Sequence, residues 1–163
     1  MPNYKTHLIG GVMSFLLVMH ATTHYMPTLN LSIHHLPYAF VLSLLGSIFP
    51  DIDVPSKMQK LFFTLSTGGI LLALLIQNYH VFTLFGVSII FVSFLTHRTI
   101  THKTKFVLLI SLLPVLYTSY HLPSHTNDAF ALYLYFTLGC LSHILFDKTQ
   151  TKIKRLLGKK RKF

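Results

Sequence analysis

Four short blocks, far apart in the chain, hold most of the side chains that could do chemistry. One, Gly139-Cys140-Leu141-Ser142-His143-Ile144-Leu145-Phe146-Asp147, sets an imidazole and a carboxylate four residues apart inside an apolar, helix-length segment. On a helix His143 and Asp147 share a face, and Gly139, one turn earlier on it, would let another helix approach closely. A second, Phe49-Pro50-Asp51-Ile52-Asp53-Val54-Pro55, brackets two carboxylates with prolines. The residue before a proline avoids helix, so an extended or turn segment is predicted, with Asp51 and Asp53 on one side of it. A third, His97-Arg98-Thr99-Ile100-Thr101-His102, places a guanidinium between two imidazoles, and the fourth is His7, just ahead of Gly10 and Gly11.

Imidazoles mixed with carboxylates suit zinc first, with manganese or iron as alternatives. His7, Asp51, Asp53, His97, His102, His143 and Asp147 exceed four ligands, enough for two ions that would activate a water and clamp a phosphoryl oxygen. Asp53 and His102 are the candidates for catalytic roles at such a centre. Arg98 is placed to hold a phosphate through two parallel hydrogen bonds. No serine or cysteine nucleophile with a partner base stands out. Each block also has a structural reading when taken alone. His143 with Asp147 would be a buried pair joining helices, Asp-Ile-Asp a helix-ending turn, and His97 and His102 interfacial histidines. His7 would cap its helix, and Arg98 would only set topology.

The elements that must position these groups are apolar. The chain has 163 residues, the size of one domain. It is 52% hydrophobic and only 11% charged, with mean hydropathy +0.55 and neither Trp nor Glu. Soluble domains carry about a quarter charged residues, so an integral membrane protein is expected. One cysteine, Cys140, excludes an internal disulfide framework or a cysteine-rich zinc site and reads as a small core residue.

Six apolar runs follow one another: from Leu8 to about Met19, Tyr38 to Phe49, Leu61 to Ile76, Val81 to Thr96, Phe106 to Tyr120, and Ala129 to Asp147. His20-Ala21-Thr22-Thr23-His24 lacks a small-x-small cleavage signal, so the first run is read as a retained helix. Ser14 shares a helical face with His7, Gly10 and Gly11, and Ser43, Gly46 and Ser47 make a second small-residue stripe suited to helix contact in lipid. Gln77 to His80 reads as a tight turn, and Pro114 as a tolerated kink. If each run crosses once, all 14 Lys and Arg fall on one side, with His7, the Asp pair, His97, His102, His143 and Asp147. That side is then cytoplasmic, and both termini with it. Several runs, Tyr38 to Phe49 among them, are shorter than the about 20 residues a crossing takes, so helices should extend into the polar flanks, tilt, or sit partly immersed.

The expected fold is thus all-α, a polytopic membrane bundle of about six helices over residues 1–148, followed by a basic cytoplasmic tail, 149–163. The tail should fix orientation and bind anionic headgroups of membrane lipids; a short charge run without a presenting fold gives no reason to expect nucleic acid. The other seven histidines, His20, His24, His34, His35, His80, His121 and His125, are expected to be interfacial or solvated.

At the four blocks, in their order along residues 7–147, the sequence resembles the family of LexA-binding, inner-membrane-associated hydrolases, also described as membrane-bound metal-dependent hydrolases. The resemblance implies a helical inner-membrane protein with a metal-dependent hydrolase site. Thr99 stands where such proteins often have Gly, and Lys103 where they have a small or hydroxyl residue, so substrate preference does not carry over. The function expected is hydrolysis of an ester or phosphoester at the cytoplasmic membrane face, where nearness to the bilayer favours a lipid. A non-catalytic membrane anchor or regulator, with a structural metal and a protein partner, is the alternative. A metal-ion carrier ranks below both, because the polar groups gather at one end rather than at the midplane.

Overall fold

The computed structural model describes residues 4–29, 31–53, 56–94 and 103–160. Among them the chain is all-helical, as expected, and has no strand. The helices are α1 (Tyr4–His24), α2 (Leu36–Ile48), α3 (Lys57–Leu75), α4 (Tyr79–Phe94), α5 (Thr104–His121) and α6 (Thr126–Lys160). Each carries most or all of one of the apolar runs, and several continue into polar flanks: α1 takes in His7 at one end and His20 and His24 at the other. Among the described residues two helices are long and apolar enough to cross a membrane, over Lys5–His24 and Pro123–Ile153; Leu36–Ile52 and Gln59–Leu75 are shorter apolar helices.

Contacts divide the chain into two compact units, Met1–Pro50 with Thr104–Phe163, and Asp51–Lys103. In the first unit α6 packs against α1, α2 and α5. The contacts are made by the small-residue stripes. A Cβ on Gly46 would overlap the Phe136 carbonyl and stand 3.2 Å from the Cys140 nitrogen, and one on Gly11 would stand 3.1 Å from the Ser43 carbonyl. Backbones this close admit only glycine. Hydroxyls seal the contacts: Ser43 Oγ donates to the Gly11 carbonyl (2.8 Å), Ser14 Oγ to that of Leu138 (3.2 Å), and Thr137 Oγ1 to Ser111 Oγ (2.9 Å). Val18, Leu31, Ala39, Ala131 and Tyr135 fill one core cluster; Val107, Cys140 and Ile144 fill another.

These pairings fix directions. Gly10 meets Ser142 and Ser14 meets Leu138, so α1 runs antiparallel to α6; Ser43 meets Gly139 and Ser47 meets His143, so α2 runs parallel to it. Val107 packs near Cys140 and Ser111 bonds Thr137, so α5 is antiparallel. The starts of α1 and α5, the end of α2 and residues 140–147 therefore share one end of the unit. Polarity is inverted relative to a water-soluble domain. Ser43 is 0% exposed, whereas apolar Leu17 on α1 is 62% exposed. Buried hydroxyls that do not donate to a neighbouring helix return their protons to their own, as Ser111 does to the Val107 carbonyl (2.6 Å).

The second unit is a helical hairpin. Ser56 caps α3 by accepting from the Gln59 amide (3.1 Å), and Gly69 leaves room for the Phe85 ring of α4. The turn is tighter than the sequence reading, since Tyr79 and His80 already belong to α4. Asn78 N donates to the Ala73 carbonyl (2.9 Å) and Gln77 N to that of Leu74 (3.2 Å), with Gln77 at φ 53°. This left-handed ending usually takes glycine. Asn78 Oδ1 then caps α4 by accepting from the Val81 amide (3.1 Å).

Phe49–Asp53 is a 3-10 turn, the turn alternative of the prediction; Phe49 keeps helical angles (φ −56°, ψ −41°) and bonds back to α2 despite the following proline. Alternation therefore does not describe the Asp-Ile-Asp segment. The basic tail is helical as far as Lys160, continuous with α6, since Lys, Arg, Gln and Leu are good helix formers.

Candidate metal centre

The shared end of the first unit brings together His7, from the start of α1, with His143 and Asp147, one turn apart on α6. The two imidazoles are buried and the carboxylate is 23% exposed. The rings stack with centroids 3.8 Å apart and planes 15° from parallel. Both turn Nε2 toward the carboxylate: His7 Nε2 lies 3.8 Å from Asp147 Oδ1, and His143 Nε2 lies 3.6 Å from Oδ2. One donor atom from each residue lies within 4.8 Å of the other two.

The orientation of His143 is set from the neighbouring helix. Its Nδ1–H donates to the Ser47 carbonyl at 2.7 Å. A carbonyl only accepts, so the proton sits on Nδ1, and in the neutral ring Nε2 carries the lone pair. A ligating histidine usually donates its other ring N–H in this way. Ligands stand about 2.0–2.2 Å from zinc, so tetrahedral neighbours are about 3.3–3.6 Å apart. The 3.6 and 3.8 Å separations run to the two different oxygens of Asp147, and one donor from each residue lies within 4.8 Å of the others, so small movements would close the set around an ion. Two imidazoles and one carboxylate with an exposed edge fit a divalent ion, leaving a coordination position open.

Asp51 is half-buried on the 3-10 turn, in the second unit, where its backbone carbonyl accepts from Ser56 Oγ (3.2 Å). The Asp53 side chain, and His97, Arg98 and His102 entirely, lie outside the described residues. Of the other histidines, His20, His24, His34, His121 and His125 are exposed, and His35 is half-buried. His35 and His125 each lie 3.9 Å from the Asp128 carboxylate. The part of the centre invisible to sequence reasoning is the Ser47 carbonyl. Ser47 itself belonged to the predicted packing stripe, and its parallel approach to Gly139 and His143 is the signal that leads to it.

No curated protein and no solved structure matches the chain. A family model described as YdjM inner membrane protein matches residues 1–157, close to the full length. Its two long apolar helices fit that compartment, and the chain belongs to the YdjM inner membrane protein family.

Proposed function

We propose that this chain is a multi-pass inner-membrane hydrolase that uses a divalent metal, zinc first, to cleave an ester or phosphoester at the cytoplasmic face. The observation that carries the reading is the His7–His143–Asp147 cluster, with His143 oriented by the Ser47 carbonyl at 2.7 Å. A bound divalent ion supplies Lewis acidity and an activated water for such a hydrolysis. His7 and His143 hold the ion from the buried side. Asp147 closes the exposed edge, the side from which a substrate enters. On sequence pattern, Asp51, Asp53, His97 and His102 are the candidates for a second ion, and Arg98 for the anionic group of the substrate. The placement of all 14 Lys and Arg by six crossings supports the cytoplasmic orientation. In this reading the shorter helices are accommodated by local thinning of the bilayer.

Burial of both imidazoles favours a second reading, a non-catalytic membrane anchor for a protein partner whose metal is structural. Elemental analysis of detergent-purified protein, beside His143→Ala and Asp147→Ala, tests the centre. About one or two equivalents of metal in the parent and little in the variants is expected, with membrane insertion unchanged. No metal in any sample, even after incubation with zinc and manganese, refutes it. Turnover of a phosphoester or phospholipid, lost with the metal, selects the enzyme. Unfolding on metal removal, with no turnover of any substrate, selects the anchor.

A further inference from the structure

We propose that the groove between α1 and α6 holds one acyl chain of a membrane phospholipid, with the headgroup end of that lipid at the His7–His143–Asp147 cluster. This rests on the metal-centre reading and names its substrate class. The groove has a volume of about 620 Å³ and is walled by Met13, Leu16 and Leu17 from α1 and by Leu138, Leu141 and Leu145 from α6. That size is ample for a ligand chain. Two hydroxyls enter the lining, and both are already committed to backbone carbonyls: Ser14 Oγ to those of Gly10 (2.8 Å) and Leu138 (3.2 Å), and Ser142 Oγ to that of Gly139 (2.7 Å). A sugar or nucleotide would find almost nothing to bond there. A hydrocarbon needs nothing.

The walls name the source of that hydrocarbon. They are the two helices long and apolar enough to cross a membrane, so the mouth of the groove meets lipid tails and not water. Position gives the rest. The lining residues Ser142 and Phe146 immediately precede His143 and Asp147, and Gly10 lies one turn beyond His7. A Cβ on Gly10 would stand 2.6 Å from the Phe146 ring, so glycine keeps the two walls together where the groove meets the cluster. From there the lining continues to His20. Ten residues of helix rise about 15 Å, half of the about 30 Å hydrocarbon thickness and the reach of one chain in one leaflet. A lipid seated this way brings its ester and phosphodiester bonds to the cluster.

The test uses the full chain in vesicles of phosphatidylethanolamine and phosphatidylglycerol doped with a phosphatidylethanolamine carrying a diazirine on one acyl chain. After irradiation, adducts are mapped by mass spectrometry, and the metal content of the same sample is measured. Adducts concentrated on groove residues such as Leu17 and Leu141 are expected. They should be lost in Leu141→Trp and independently in Leu17→Trp, two variants that fill the groove, while metal content stays parental. Adducts spread evenly over exposed apolar residues, Leu71 and Leu72 of α3 included, would mean ordinary surrounding lipid and overturn the proposal, and parental metal in that sample would leave the metal-centre reading standing. Groove adducts in a protein that binds no metal would uphold the acyl-chain site and remove the hydrolase reading. His143→Ala should keep the groove adducts, because the wall and not the cluster binds the chain.

Discussion

Replacing Gly139 by alanine should weaken metal binding without touching a ligand. A Cβ at this position would overlap the Ser43 carbonyl, and it would stand 3.0 Å from the Ser47 nitrogen and 3.2 Å from the Gly46 Cα. All three are backbone atoms of α2, and none can rotate away. Ordinary contact returns only if the helices part by roughly 1 Å. Gly139 and His143 lie one turn apart on the same face, so the opening reaches the 2.7 Å bond from His143 Nδ1 to the Ser47 carbonyl. It carries that bond past the about 3.5 Å at which a hydrogen bond fails. Overpacking costs about 1–3 kcal/mol and the lost bond about 0.5–1.5 kcal/mol, together about 1.5–4.5 kcal/mol. Loss of a bond that orients a ligand typically lowers metal affinity about 10–100-fold. Competition against a chromophoric zinc chelator in detergent measures the affinity, and thermal unfolding of the same sample measures the stability. A variant that unfolds early yet binds zinc like the parent would refute the link between the helix contact and the centre. Parental stability would refute the contact itself.

Gly68 and Gly86 are the contrast: no heavy atom lies within 4 Å of a Cβ built on either, so alanine at each should stabilise its helix by about 0.5–1 kcal/mol in thermal unfolding. Gln77→Gly should stabilise the α3–α4 hairpin by about 1 kcal/mol, because Gln77 stands at φ 53°; the α3–α4 segment should then resist protease longer. Thr137→Val removes the 2.9 Å bond to Ser111 Oγ while Ser111 keeps its bond to the Val107 carbonyl, so a loss of about 0.5–1.5 kcal/mol is expected in chemical denaturation, with normal insertion. Stripping metal with a chelator should lower the unfolding midpoint of the parent and leave that of His143→Ala unchanged, since only a form that binds the ion is stabilised by it.

The helices were legible because burial and lipid exposure both select long apolar runs, and the runs carrying α2, α3 and α5 could be placed to within a few residues. Ser43, Gly46 and Ser47 on one run and Gly139 on another were each legible as places for close helix contact, but their meeting with one another was not. His143 and Asp147 could be paired from their spacing alone, and His7 joined them through the topology. Other features escaped for definable reasons. The Ser47 carbonyl is a backbone group that every residue carries, so no residue type announces it. Phe49 keeps helical angles ahead of Pro50 because its amide still bonds to Leu45 and Gly46 of α2. Gln77 occupies a position where glycine would have marked the turn. Residues 149–163 read as a basic tail set apart on charge alone, yet as far as Lys160 the same residues favour a helix when one already leads into them.

That unbroken α6 has a mechanical consequence. Its 35 residues rise about 52 Å, against about 30 Å of hydrocarbon. With the apolar portion in the bilayer, the last turns stand clear of it as a stiff spar studded with cations rather than as a loose tether. A spar transmits torque. In the proposed reading, anionic headgroups gripping Lys148 to Lys160 would set the tilt of the whole rod, and the same rod carries His143 and Asp147 between the other helices. The surface charge of the leaflet and the alignment of His143 with Asp147 would then be joined by a lever whose fulcrum is the glycine crossing at Gly46 and Gly139.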